Sequence, residues 1–126
     1  MKLLLDTNAM LWIAAGDPSV SGRVRTSLET AEQVIFSVAS LWEIAIKVSL
    51  KKLAPIPELA SRFQANGALR LGIEDRHLEI LPGLPFLHRD PFDRLLIAQA
   101  KADNLTVVTA DKMFSRYGIP VLDLRD

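Results

Sequence analysis

Short apolar runs alternating with longer segments of helical spacing set the pattern of this chain. "KLLL", Lys2 to Leu5, reads as a buried strand, and Asn8 to Ala15 as a short helix that Gly16-Asp17-Pro18 terminates. Val20 to Ala31 has amphipathic spacing, and "VIFS", Val34 to Ser37, is a second buried strand. Val38 to Leu50 carries apolar residues around most of its circumference, as a well-covered helix does. A turn over Leu53 to Pro57 leads into a helix near Glu58 to Ala65, with Pro57 at a favourable first position. "ALRLGI", from Ala68, predicts a third strand, Glu74 to Leu81 a short helix, Pro82 to Pro85 a loop, and Pro91 to Asp103 a longer helix. "LTVVT", Leu105 to Thr109, is the clearest strand by β-branched content. Asp111 to Tyr117 follows as a helical turn or two, and "IPVLDL", from Ile119, closes the sheet.

Strands alternating with helices require crossover connections, which predicts an α/β fold. The expected architecture is a three-layer α/β/α sandwich around a central, mainly parallel sheet of four or five strands. With 126 residues and no linker or internal repeat, one domain spanning residues 1–126 is expected.

Composition removes several function classes. Hydrophobic residues make up 49% and charged residues 24%, so a disordered chain is excluded. The absence of cysteine rules out thiol catalysis, zinc ribbons and disulfide frameworks, and is compatible with a reducing cytoplasm. Fifteen basic residues balance fifteen acidic ones, so any binding of nucleic acid must be local. No apolar run approaches the roughly 20 residues that span a bilayer. Asp6 and Asn8 interrupt the opening apolar run before the ~7 to 15 residues of a secretory segment, so the expected compartment is the cytoplasm.

The chemistry lies in four acids. In parallel sheets the carboxyl ends of strands and the amino ends of the following helices share one edge, where ligands bind. Asp6 ends the first strand, Asp111 lies just past "LTVVT", and Asp93 sits in the first turn of the Pro91 helix. Glu43 is about 9 Å along its helix from the end of "VIFS", a distance that its longer side chain, leaning toward the amino end, partly recovers. Converging carboxylates repel unless a cation neutralises them, and an oxygen-only donor set suits magnesium or manganese. Such ions serve phosphate chemistry, activating water and stabilising charge during in-line displacement.

Each acid also has an ordinary structural role. Asp6 and Asp111 are at cap positions, and Glu43 follows Ser40 at capping-box spacing while preceding Lys47 by the four residues of a helical ion pair. In "HRDPFDRLLIAQA" the cap is assigned to Asp90, with Pro91 at the first helical position, which leaves Asp93 to favour the helix dipole or to bind an ion. The two histidines, His77 and His88, read as loop or surface residues, with His88 next to Arg89 in reach of a nucleic acid. Trp12, Trp42, Leu50 and Phe63 read as core, with a partner surface as the alternative. Lys47, Arg89, Arg94 and Lys112 adjoin the acids and are candidate phosphate contacts, although surface charges of this kind are usually just solvated.

"LLLDTN", "SVASLWEIAIK", "DPFDRLLIAQA" and "LTVVTADK", in this order and across nearly the whole chain, resemble the motifs of PIN-domain proteins, in particular VapC-type toxin ribonucleases of bacterial toxin–antitoxin pairs. The resemblance implies a PIN-like parallel sheet between helices, a magnesium or manganese site, and hydrolysis of single-stranded or loop RNA. It carries the family's four acids onto Asp6, Glu43, Asp93 and Asp111, and its small hydroxyl positions onto Thr7 and Thr109, where they orient a carboxylate or water. Asn8 matches a frequent polar neighbour of unassigned role. The resemblance also implies a homodimer and a small VapB-type antitoxin as partner. The stretch Arg94 to Ala98 is bulkier by one apolar residue than the wider family's small-residue pattern. Two rival readings remain: a regulatory or RNA-binding subunit with little turnover, which the intact acids oppose, and an aspartyl-phosphate phosphatase, whose second aspartate is replaced by Asn8.

Overall fold

The computed structural model describes all 126 residues. Five strands, β1 (Lys2–Leu5), β2 (Gln33–Ser37), β3 (Leu69–Leu71), β4 (Thr106–Thr109) and β5 (Val121–Asp123), form one parallel sheet in the order β3-β2-β1-β4-β5. Six α-helices connect and cover it: α1 (Thr7–Ala15), α2 (Gly22–Thr30), α3 (Val38–Ser49), α4 (Leu59–Ala65), α5 (Asp75–Ile80) and α6 (Pro91–Asp103). Short 3-10 turns occupy Leu81–Gly83 and Phe114–Tyr117. No helix is long and apolar enough to cross a membrane.

The unbroken leucines of β1 follow from its place at the centre of the sheet, where both faces are covered. Leu4 is in register with Ile35 and Val107, and this row packs against α6 through Leu96, Ile97 and Ala100. Leu5 is in register with Phe36 and Val108, and that row packs against Ala9 and Met10 of α1, Val24 of α2 and Leu59 of α4. Three layers result, as expected. Helix α3 serves both sides, with Ala39 on the α6 side and Ile44 on the other.

Helices α2, α3 and α6 are capped by side chains at their starts. Ser21 accepts from the Val24 N–H, Ser37 from Ala39, and Asp90 from Phe92 and Asp93. Gly16, at φ 65°, ends α1 in the left-handed conformation that a residue with a Cβ adopts only at a cost.

Some boundaries differ from the sequence expectation. Helix α2 starts after its cap at Ser21, two residues later than the apolar spacing suggested, and β3 is only three residues because Leu69 and Arg70 lie exposed at the sheet edge. Pro57 does not open α4; Glu58 intervenes at φ 56° and α4 starts at Leu59. Trp42 and Leu50 are not core, being 56% and 58% exposed, whereas Trp12 and Phe63 are partly buried against the α1 side of the sheet.

Replacing Leu4 or Leu5 by alanine is expected to cost about 2–5 kcal/mol each in urea unfolding, since each leaves a cavity in a fully buried layer. Leu69→Ala, at a position 48% exposed on the edge strand, should cost under about 1 kcal/mol.

Candidate active site

The sheet order puts β2 on one side of β1 and β4 on the other, so the connections leaving β1 and β4 diverge and open a crevice at the carboxyl edge. Asp6 follows β1 directly. Its backbone N–H extends the ladder to the Val108 carbonyl at 3.1 Å, and its carboxylate accepts from the Ala9 N–H at 2.7 Å, capping α1. The cap and the buried acid are therefore the same residue. Asp111 follows β4; its N–H donates to Thr109 Oγ1 at 2.9 Å, and its Oδ1 accepts from the Met113 N–H at 2.9 Å. Asp93 stands in the first turn of α6, whose cap is Asp90 as the sequence indicated.

Glu43 is buried on α3 and is held from two directions. Thr7 Oγ1 lies 2.7 Å from Oε1, and Lys47 Nζ lies 2.9 Å from Oε2. Ser40 Oγ is 3.0 Å from the same threonine hydroxyl. A hydroxyl has one proton, so Thr7 gives it to the carboxylate and accepts from Ser40. Ser40 is thus a partner of Thr7 and not a cap, the cap of α3 being Ser37. The Lys47 pair is the helical ion pair that the four-residue spacing allowed.

His88 joins the set. Its Nε2 lies 3.0 Å from Asp93 Oδ2 and 2.8 Å from Asp111 Oδ2, so these three residues form a group with ligand atoms within 4.8 Å of one another. Sequence reading placed His88 in a loop or at the surface; it lies in a loop, and the backbone N–H of Asp90 and the ring of Phe114 hold its imidazole toward the acids. The available signal was its loop, which also carries the helix cap at the mouth of the crevice. His77 is no surface residue. It is fully buried, with Nδ1 accepting from the Glu74 N–H at 3.0 Å and Nε2 3.1 Å from Asp103.

Burial and repulsion show in the proton affinities. Asp6 is pushed up to about 6, first by burial and then by the charges of Asp111 and Glu43, against the stabilising bonds from Thr109 and Ala9. Asp93 is pushed up to about 7 by burial, with the charges of Asp90, Asp6 and Glu43 adding and His88 opposing. The four acids thus feel one another, although only Asp93 and Asp111 lie in contact with a common atom, His88 Nε2. None of the surface clefts elsewhere on the molecule is lined by any of the four.

The basic candidates separate. Lys112 and Arg89 are exposed beside the acids, and Lys47 pairs with Glu43. Arg94 faces away: it is buried, donating to the Leu84 carbonyl at 3.2 Å and the Pro85 carbonyl at 2.9 Å, with its guanidinium 4.2 Å from the exposed ring of Phe86. Two carbonyls in a loop suit its forked donors, so Arg94 ties the loop to α6 and is not free for a phosphate. Asn8 is exposed at the start of α1.

The PIN domain family model matches residues 3–120. No curated protein matches in sequence. Among solved structures, this chain is similar to VapBC2 from Rickettsia felis bound to a DNA fragment from their promoter, with TM-score 0.74 and 18% identity over 97% of this chain and 98% of that one. It is also similar to DNA-bound VapBC from Salmonella typhimurium, with TM-score 0.72 and 17% identity over 98% of each chain. FitAcB from Neisseria gonorrhoeae matches with TM-score 0.65 and 21% identity over 96% of both chains.

Two outcomes follow from this geometry. In the unfolded chain these aspartates ionise near 3.8, but folded Asp6 and Asp93 hold their protons to about 6 and 7, so over that window the folded state binds more protons. Their contribution to stability therefore falls as pH rises from about 4 to 7. In EDTA, thermal melts of the Asp93→Asn variant should show a shallower decline over this range than the wild type. Arg94→Lys should lose about 1–3 kcal/mol in urea unfolding although charge is kept, because one ammonium cannot serve both loop carbonyls equally well.

Proposed function

Because this chain belongs to the PIN-domain family, we propose that it is a metal-dependent endoribonuclease hydrolysing phosphodiester bonds in RNA, and the toxin of a toxin–antitoxin pair. PIN domains are generally nucleases and generally use divalent metals. The observation that carries the reading is the convergence of Asp93 and Asp111 on one point, with the buried charges of Asp6 and Glu43 bearing on it. The donor set fits a hard cation: carboxylate oxygens, two of them on acids whose raised proton affinity marks uncompensated negative charge. A bound Mg2+ or Mn2+ supplies Lewis-acid activation of water and neutralises charge on the phosphate.

The chain's own residues do the rest. Asp93, Asp111 and Asp6 hold the cation, directly or through water, and Thr109 orients Asp6. Glu43, fixed by Thr7 and Lys47, completes the shell or accepts the proton of the attacking water. Lys47, Arg89 and Lys112 are the remaining candidates for backbone phosphates. The similarity to VapBC and FitAcB structures supports a VapB-type antitoxin as partner, with a homodimer and the cytoplasm as the expected setting.

A second reading has its own support: two of the similar structures hold DNA, which favours a regulatory subunit acting through its partner. Substitution separates the two. Asp6→Asn and Asp93→Asn are expected to reduce magnesium- or manganese-dependent RNA cleavage by at least about a hundredfold, beyond the loss typical of outer-sphere partners, and to relieve growth arrest on expression. Undiminished cleavage by a metal-free preparation of the double variant would end the metal-dependent mechanism, and arrest persisting in these variants would favour the regulatory reading.

A further inference from the structure

The polarity of His88 is fixed by its second nitrogen. Nδ1 faces the backbone N–H of Asp90 at 3.2 Å. An amide nitrogen only donates, so Nδ1 is the acceptor and the ring proton sits on Nε2. That proton is donated to Asp111 Oδ2, 2.8 Å away, and the same nitrogen lies 3.0 Å from Asp93 Oδ2. A metal-ligating histidine has the reverse arrangement, offering a lone pair to the ion while its other N–H goes to an acceptor. The imidazole is held in this pose on its far side by Phe114, edge-to-face at 6.0 Å between ring centroids.

We infer that His88 competes with the cation: its Nε2–H occupies Asp111 Oδ2, close beside Asp93 Oδ2, and has to yield for an ion to take those two oxygens. The inference rests on the site being a cation site. The donor sits between two mutually repelling carboxylates from separate segments, hydrogen-bonded to Asp111 and in contact with Asp93. The bond to Asp111 lowers the apparent affinity for the ion, because hydrogen bonds to carboxylates are among the stronger ones and must be given up or weakened.

Mn2+ binding tests this, followed through the EPR signal of the free ion, with the wild type, His88→Ala and the Asp93→Asn/Asp111→Asn double variant. The double variant should lose binding, while His88→Ala should bind Mn2+ about tenfold more tightly than the wild type, equivalent to about 1.4 kcal/mol. Weaker binding by His88→Ala would make the ring a ligand and overturn the inference; an unchanged Kd would make it a bystander and do the same. If the wild type itself bound no Mn2+, the cation-site reading would fail as well, so the two failures are distinguishable. Nitrogen-15 NMR of the wild-type ring is the second measurement and needs no variant. In EDTA the proton should reside on Nε2 of His88, and Mg2+ should shift that resonance without moving the proton. Transfer of the proton to Nδ1 on adding Mg2+ would mark ligation and refute the competition.

Discussion

Negative charge gathered at the mouth of an apolar sheet is the constraint on which this structure turns. Asp6 has to follow the central strand directly, because the crevice exists only where the connections from β1 and β4 part. That position buries the carboxylate beside fully covered leucines and within the field of two other acids. Ordinary hydrogen bonds offset part of the penalty: Ala9 and Thr109 at Asp6, Met113 at Asp111, Thr7 and Lys47 at Glu43. What they leave uncompensated appears as the raised proton affinities of Asp6 and Asp93. On the proposed function a divalent cation would relieve that remainder, which links the fold's least comfortable feature to its proposed chemistry.

The surrounding architecture serves this edge. Helix α3 contacts both α1 and α6, and the Thr7 hydroxyl ties the start of α1 to Glu43 on α3. Arg94, one residue after Asp93, anchors α6 to the Leu84-Pro85 loop, and the Tyr117 hydroxyl accepts from the N–H groups of Leu87 and His88 while donating to the Pro85 carbonyl. The loop that presents His88 is therefore fastened at several points along its length. A buried arginine and tyrosine spent on one loop make sense if the position of that loop sets the geometry of the acids.

Much of this was legible in the chain, where local chemistry decides. The runs "KLLL", "VIFS" and "LTVVT" are strands because unbroken apolar residues suit strands covered on both faces, and "RDPFD" separates a capping Asp90 from Asp93 because proline is favoured at the first helical position, directly after the cap. Where distant segments decide, the pattern misled. His88 and Arg94 find their partners in Asp111, Pro85 and Tyr117, residues whose proximity depends on loop paths. Trp42 looked like core because α3 is apolar almost all round, but its ring lies at the surface, edge-to-face with Phe92 at 5.0 Å between centroids. Pro57 misled for a backbone reason, since Glu58 takes a left-handed turn that no propensity for helix starts anticipates.

The most direct measurement of the central claim is anomalous diffraction at the manganese edge from crystals of the wild-type protein grown with Mn2+. The account predicts a peak within about 2–2.5 Å of carboxylate oxygens of both Asp93 and Asp111, with Asp6 beside it. Well-ordered crystals showing no peak at these oxygens, or a peak only at a distant surface acid, would contradict it.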